Sequence, residues 1–489
     1  MQIGRTEGGI VVLRNRKIVG LLLGLATLLP LLANSVSAAP VLTQRIDDYV
    51  QAQMAKMNIP GIGLGVVVDG QVFYSQGYGV CASGGAPVAA DTPFLLSSLS
   101  KSFTALAVMQ LVEQGKLSLD DPVCTYLPWF AVDSPNPSSI TVRHLLHHMS
   151  GIPTRPGLTP PKSGETIEQR ARELTQFSPS QPAGQVFQYA NHNYVLLGLL
   201  VEKISGLSYA DYVERNIFQP LTMDRSFTDQ RQAEEAGMAV GHQSIFGFSA
   251  RIEREFPMAD LPAGMLISSA ADMTKYLQMF LNDGEGPKGH LLSSSGLNLL
   301  WQPGFPLAEG AYAMGWIVDD SGSTLSHSGS FANYSSFMLL QPAAGLGIVV
   351  LTNQGSILHM GMPETIALGV AALVQEEEPL PVNNLSMWLI PALLAVWAAV
   401  NLYSFVKIFR NRGRLKAKRH LYLIYSIRLL GAGLLLIIIP MGLRMPLSLL
   451  VVLQPDVGVL LIVNAILLIL TVAAEIGLTL YGSKVRLQA

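Results

Sequence analysis

The 489-residue sequence predicts an α/β (α+β) domain, with one antiparallel sheet drawn from both ends of the domain and a helical middle, followed by three transmembrane helices. Three observations predict it. Strand-like runs bounded by turn residues lie near positions 62–76 and 334–351, helical periodicity fills the stretch between them, and three long apolar runs close the chain.

The first strands come after an amphipathic pattern at Ile46, Val50, Met54 and Met57, which reads as a helix. Ile62–Val68 and Gln71–Gln76 then read as two strands joined at Asp69-Gly70, a strong hairpin signal. Near the other end, Tyr334–Leu340 and Leu346–Leu351 are apolar β-type runs, and Thr365–Val374 reads as a helix. Between them, Ser98–Gln114 is stopped by Gly115, Tyr194–Ile204 is stopped by Gly206, and Ala271–Leu281 is also helical in pattern. The simplest packing pairs the terminal strands in one sheet and lays the helical middle against it.

Charge separates this body from the C-terminal segment. Residues 40–385 carry 31 acidic and 17 basic side chains, whereas residues 386–489 carry 2 acidic and 11 basic. An acidic body excludes nucleic acid as a partner, because a phosphate backbone requires a basic surface. With 49% hydrophobic and only 13% charged residues, part of the chain is expected in lipid. Residues 1–39 read as a signal peptide: Arg14, Arg16 and Lys17 precede the apolar run Ile18–Ala33, and the small residues Val36, Ser37, Ala38 and Ala39 come after it. An uncleaved anchor is the alternative, and either one exports the body at 40–378. The charged, proline-containing stretch Glu376-Glu377-Glu378-Pro379-Leu380-Pro381 leads into a linker at 379–386.

The anchor spans 387–489, with apolar stretches at Met387–Phe409, Leu421–Leu443 and Val457–Leu480, each long enough to cross a bilayer. The first connector, 410–420, is intensely basic, and Lys484 and Arg486 lie beyond the third stretch. Because positive charge stays on the cytoplasmic side, the body is expected outside the cytoplasmic membrane, as export also requires. Arg428 and Glu475 fall in or near the spans and are expected either to pair or to snorkel to the interface. Cys81 and Cys124 are too few for a disulfide framework or an all-cysteine zinc site; they either pair or stand independently as small buried residues.

The chemistry is expected at Ser98-Leu99-Ser100-Lys101. At the start of a helix whose apolar stripe runs through Leu99, Phe103, Ala107 and Leu111, Ser98 and Lys101 lie one turn apart on a shared face. A serine hydroxyl becomes a good nucleophile when a neighbour accepts its proton, and a lysine whose pKa is depressed by burial can do so. The helix N-terminus adds positive potential where an oxyanion would form. His144 and His148, four apart, lack the glutamate of a zinc protease motif, since Leu145 stands there, and are expected to pack and hydrogen-bond. No Gly-x-Ser-x-Gly elbow surrounds Ser328.

Two further motifs come in order, Tyr189-Ala190-Asn191 and His327-Ser328-Gly329, with flanking matches at 103–105, 144–153 and 263–272. Over residues 42–375 the sequence resembles the serine beta-lactamases and penicillin-binding proteins, in particular class C enzymes. That resemblance implies Ser98 as the nucleophile that forms an acyl-enzyme, with Lys101 and Tyr189 sharing the general-base work. The Lys101 cation is expected to lower the tyrosine's pKa, or the two relay one proton. It implies Asn191 as a holder of substrate amide and lysine, His327 and Gly329 as substrate-orienting, and the backbone N–H groups of Ser98 and Ser330 as the oxyanion hole. It implies no cofactor and no metal.

The three-span anchor is similar to that of colibactin-maturing membrane peptidases, which act at an acylated D-asparagine, and Asn333-Tyr334 resembles their strand start. Asn333 is therefore expected to offer a donor and an acceptor to a substrate amide. The sequence departs from these peptidases at Leu95 and Leu96, which stand where they carry an acidic residue; Asp260 replaces it only if the fold brings it near. The implied function is a membrane-anchored extracytoplasmic serine hydrolase acting through an acyl-enzyme, a D-amino-acid-specific peptidase or carboxypeptidase on cell-wall or exported peptides, with a peptide or amide small molecule as substrate. A beta-lactamase or esterase is the alternative, and a non-hydrolysing penicillin-binding sensor is an alternative of another class.

Overall fold

The computed structural model describes residues 41–487, apart from 83–84, 131–139, 155–160, 177, 360, 382–384, 411–418 and 443–445. The expected signal peptide and most of the basic connector lie outside the described residues.

Helix α1 (residues 41–57) leads into β1 (Gly61–Val68) and β2 (Gln71–Gly79). The turn between them has φ of 50° at Asp69 and 67° at Gly70, the left-handed pair that matches strand twist in a two-residue hairpin. After β3 (Pro93–Leu95) come α2 (Ser100–Glu113) and α3 (Asn191–Ser205), then the hairpin β4 (His242–Ile245) and β5 (Phe248–Arg251). Strand β6 (Ile267–Ser269) runs directly into α4 (Ala270–Leu281). Next are three short strands, β7 (Phe305–Pro306), β8 (Ala311–Tyr312) and β9 (Ile317–Val318), then three longer ones, β10 (Leu325–Ser330), β11 (Ser335–Gln341) and β12 (Leu346–Thr352). The short β13 (Gln354–Gly355) and α5 (Met362–Val374) complete the domain.

Among the described residues the main sheet has eight strands in the order β2-β1-β12-β11-β10-β9-β8-β7. The strands from the two ends of the domain meet where β1 and β12 pair antiparallel, with Ile62 opposite Thr352 and Val68 opposite Leu346. The two-residue side-chain period of β1 sorts its faces. Ile62, Leu64 and Val66 enter a core with Ile46 and Val50 of α1 and Ile366 and Val370 of α5. Gly63 and Gly65 lie on the opposite face, where α4 approaches so closely that a Cβ at Gly65 would stand 2.5 Å from Thr274 Cγ2. That second face carries the larger core, which includes α2, α3 and α4.

Two helix readings are revised. Helix α2 has no exposed face opposite a stripe: every residue from Ser100 to Leu111 is buried, since the helix runs through the centre of the helical layer. Helix α3 begins at Asn191, three residues before the apolar periodicity, so Asn191 is held in its first turn.

Beyond the domain, α6 (Leu385–Arg410), α7 (residues 419–442) and α9 (Pro455–Leu487) contain the segments Trp388–Arg410, Ile424–Met441 and Pro455–Leu478, each long and apolar enough to cross a membrane. Arg428 and Glu475 pair between helices at 2.8 Å, which decides between pairing and snorkelling for these charges. Asn401 and Asn464 add an interhelical hydrogen bond of 2.8 Å.

The connector between α7 and α9 contains α8 (Leu447–Leu453), which the sequence did not signal and which docks on the domain. The Gln454 Oε1 accepts from Ser356 Oγ and from the Ile357 N–H, both at 3.1 Å, while its Nε2 donates to the Ser244 carbonyl at 3.1 Å. Asp456 accepts from the Phe246 N–H at 2.7 Å, and Gln243 donates to the Val452 carbonyl at 2.7 Å. Trp388 of α6 meets Phe248 edge-on at 5.5 Å between centroids, so the β4–β5 hairpin touches both α6 and this connector.

Candidate active site

Ser98 sits in a 3-10 turn, Ser97–Leu99, that feeds into α2. Ser97 has φ of 51°, a left-handed conformation that is strained for a residue with a Cβ. Its surroundings hold it there. The Leu96 N–H donates to Leu266 O at 2.9 Å, Ser336 Oγ donates to Leu96 O at 2.7 Å, and Ser100 Oγ donates to Ser97 O at 2.7 Å. Strand β10 passes over this turn at Gly329, where a Cβ would stand 2.2 Å from Ser336 Oγ, 2.5 Å from Leu96 O and 3.0 Å from Ser97 Cβ. Glycine is therefore required by close approach, a reason separate from any contact with substrate.

Two hydrogen-bonding groups converge on Ser98 Oγ: Lys101 Nζ at 3.2 Å and Tyr189 OH at 3.0 Å. Lys101 is completely buried, and its other partners are Asn191 Oδ1 at 3.0 Å and the Ala263 carbonyl at 2.5 Å. All three are neutral groups. Burial pulls the ammonium down to about 7, against a smaller upward pull from Asp260. A neutral lysine keeps two N–H donors, enough for Asn191 and Ala263, and leaves its lone pair for the Ser98 hydroxyl proton.

Tyr189 behaves otherwise. Burial raises its phenol above the ordinary value, and the hydrogen bond with Ser98 only partly opposes this. Lys101 Nζ lies 4.8 Å from the Tyr189 ring centroid, a cation–π placement over the face. The expected lowering of the tyrosine is not found, because burial acts against both charged forms. Tyr189 is thus a hydrogen-bond donor to Ser98, and Lys101 is the group suited to accept a proton near neutral pH.

The sequence 144–153 builds the platform beneath Tyr189. The His148 ring packs against Tyr189 at 4.3 Å between centroids and against Tyr312 at 4.9 Å. Its Nδ1 accepts from the Ala190 N–H at 3.3 Å and from Asn193 Nδ2 at 2.9 Å, fixing the turn that delivers Tyr189 and Asn191. Ser150 Oγ donates to Asn193 Oδ1 at 2.6 Å. Burial holds His148 well below its usual range, so it is a neutral positioning residue. His144 closes a capping box with Thr141, as its expected packing and hydrogen-bonding role requires.

His327 is buried behind the site. Its Nδ1 donates to Ser328 O at 2.7 Å and its Nε2 accepts from Tyr312 OH at 3.2 Å, roles assigned from the partners. Burial and the nearby Lys101 push it down to about 4, so it brings no charge to the site. A cleft of about 810 Å³ opens on Ser98, with Asn191, Asp260 and Ser330 on its walls. Asp260 is near, as an acidic substitute would need to be, but its carboxylate already receives Arg170 at 2.9 Å.

Asn333 is not brought to this cleft. It is buried in an adjoining groove that shares Glu253–Phe256 and Met258 with the cleft, where its Nδ2 donates to the Ile252 carbonyl at 2.8 Å and packs over Gly241. Asn333 thus ties the segment after β5 to the end of β10, and its Oδ1 is buried without a hydrogen-bond partner. Cys81 and Cys124 are free thiols.

Fold and site together define a beta-lactamase-like scaffold in which Lys101 and Tyr189 flank Ser98. The chain belongs to the beta-lactamase family, whose description, "Beta-lactamase", matches residues 46–369. It is 31% identical over 319 residues to protein flp of Staphylococcus aureus (strain COL), covering 64% of this chain and 63% of that protein. The matched segment is thus less than two thirds of that relative's length. It is 29% identical over 322 residues to penicillin-binding protein 4 of Amycolatopsis lactamdurans, covering 63% of this chain and 84% of that protein. Among solved structures it is similar to the octameric penicillin-binding protein homologue from Pyrococcus abyssi, with a TM-score of 0.61 and 30% identity over 69% of this chain and 78% of that one.

Proposed function

We propose that this protein hydrolyses an amide or peptide through an acyl-enzyme on Ser98, with the catalytic domain held outside the cytoplasmic membrane by the three spans. The observation that carries the reading is the convergence of Lys101 Nζ and Tyr189 OH on Ser98 Oγ. Neutral Lys101 takes the hydroxyl proton as Oγ attacks the carbonyl carbon. The backbone N–H groups of Ser98 and Ser330 receive the oxyanion. As the C–N bond breaks, Tyr189 passes its proton to the leaving nitrogen and is replenished from protonated Lys101. Water then attacks the ester carbonyl carbon, with Lys101 again accepting the proton and returning it to Ser98 Oγ as the acyl–oxygen bond breaks. Asn191 holds the lysine and presents its amide to the substrate.

A D-residue beside the scissile bond is the substrate feature we propose, supported by the resemblance to penicillin-binding proteins; Asn333 does not contribute to it. The outward placement is supported by the basic first connector and the apolar leader. The test is intact mass after exposure to a fluorophosphonate probe, and then to acyl-D-alanyl-D-alanine and N-acyl-D-asparaginyl amides. One adduct per chain, lost in Ser98→Ala, together with substrate turnover is the expected result. An adduct retained in Ser98→Ala removes the nucleophile assignment.

A further inference from the structure

Phe246 and Phe248 are out of place on a domain surrounded by water. They flank Gly247 at the tip of the β4–β5 hairpin and are 39% and 68% exposed. Phe246 has φ of 51° and Gly247 of 75°, the left-handed pair of a two-residue turn whose first position favours asparagine, aspartate or glycine. A phenylalanine there is strained, and folding gains little from a ring left in solvent. The tip stands where the spans begin. Trp388 of α6 covers Gly247, where a Cβ would lie 2.6 Å from its ring, and Asp456 in the first turn of α9 takes the Phe246 N–H. Further along both helices Asn401 meets Asn464, so α6 and α9 run in the same sense and Trp388 and Asp456 mark one face of the bilayer.

We propose that the tip of this hairpin is a membrane-docking surface whose partner is the phospholipid interface, with Phe246 and Phe248 entering the boundary between headgroups and acyl chains beside Trp388. This rests on the reading of the three helices as membrane spans. Aromatic side chains favour that zone, where apolar surface leaves water. The tip is built for it in two further respects. Residues 242–250 carry no acidic side chain, lysine or arginine. The backbone at the turn is also satisfied from within the protein, since Asn58 Nδ2 donates to the Gly247 carbonyl at 3.0 Å and Asp456 accepts from the Phe246 N–H at 2.7 Å, as a poorly hydrated zone requires. Docking here reaches the catalytic cleft through the chain: Glu253, Arg254 and Glu255, just beyond β5, line the cavity that holds Ser98. A lipid-seated tip therefore fixes the tilt of that wall against the bilayer, which a flexible tether could not do.

The experiment uses the full chain in phosphatidylcholine nanodiscs, with 4-trifluoromethylphenylalanine placed singly at 246, 248, 72 or 396, and reads the fluorine line broadening caused by phosphatidylcholine carrying a doxyl group at acyl carbon 5. The analogue keeps a phenyl ring at both tip positions. Val396, exposed on α6, reports the lipid, and Val72, exposed next to the Asp69-Gly70 turn at the far end of β1 from Asn58, reports the domain away from it. Broadening at 246 and 248 should exceed that at 72 by at least about threefold, because interfacial side chains sit within the upper acyl region. Broadening at 246 and 248 no greater than at 72, with 396 strongly broadened, overturns the docking surface and leaves the spans in place. If 396 is unaffected as well, the reading of the helices as spans fails with it. Fluorophosphonate labelling of Ser98 in the same discs tests the hydrolase reading separately, since no probe position belongs to the active site.

Discussion

Acylation should switch on with pH at a point set by the burial of Lys101. The side chain has no exposure to water and no carboxylate in contact; its partners are Ser98, Asn191 and a carbonyl. With its pKa near 7, roughly a tenth of the molecules hold neutral Lys101 at pH 6 and roughly nine tenths at pH 8. The rate of fluorophosphonate labelling should therefore rise about tenfold between those values and then level off. The neighbouring histidines do not blur the profile, because burial holds His147 and His327 down to about 4. Tyr189→Phe should slow the reaction without moving the midpoint.

Stability depends on pH through the same group, with a definite sign. The folded pKa lies below the unfolded value of 10.5, so between about 7 and 10.5 the unfolded chain binds the extra proton and stability contributed by this group rises with pH. Below 7 the charged form is carried in both states, and the cost of holding it inside is roughly 5 kcal/mol. Lys101→Met, which removes the buried charge at similar volume, should raise the melting temperature of the full chain at pH 6 while abolishing labelling. A labelling midpoint above 9, or a profile unchanged from pH 5 to 9, would refute the assignment of Lys101 as the proton acceptor.

Gly329→Ala should lower labelling severely, because its Cβ would press on Leu96 O and Ser336 Oγ, which hydrogen-bond each other; the overpacking costs roughly 1–3 kcal/mol and falls on the turn that carries Ser98, to be checked by labelling rate and melting temperature. Lys101→Ala and Tyr189→Phe should each cut acylation by orders of magnitude, and the double variant should lose less than the product of the two, as measured by labelling kinetics. Asn333→Ala should leave labelling and substrate preference unchanged yet lower stability by about 1–3 kcal/mol, because the Ile252 carbonyl loses its donor; a changed preference would return Asn333 to the site. Protease added to spheroplasts should cleave the domain at 40–378 and spare the basic connector; protection of the domain would refute the outward topology.

Features under short-range control could be read from the chain alone. The Asp69-Gly70 turn and the two strands it joins, the glycine stops at Gly115 and Gly206 and the three apolar stretches were all legible, because each depends on neighbours within one or two turns of chain. So was the pairing of Ser98 with Lys101, since one helical turn fixes it. The ordered motifs supplied Tyr189 and Asn191 by resemblance, though not their geometry. Everything else waited on contacts between distant segments. Local sequence could not show that burial would raise Tyr189 while lowering Lys101, since desolvation is set by residues remote in the chain. Asn333 lies three residues beyond β10, where the direction of the chain decides which side of the strand its side chain serves. The largest omission was the connector after the second span: Gln454 is an ordinary polar residue in sequence, and it acquires meaning only when the fold brings Ser244 and Ser356 to it.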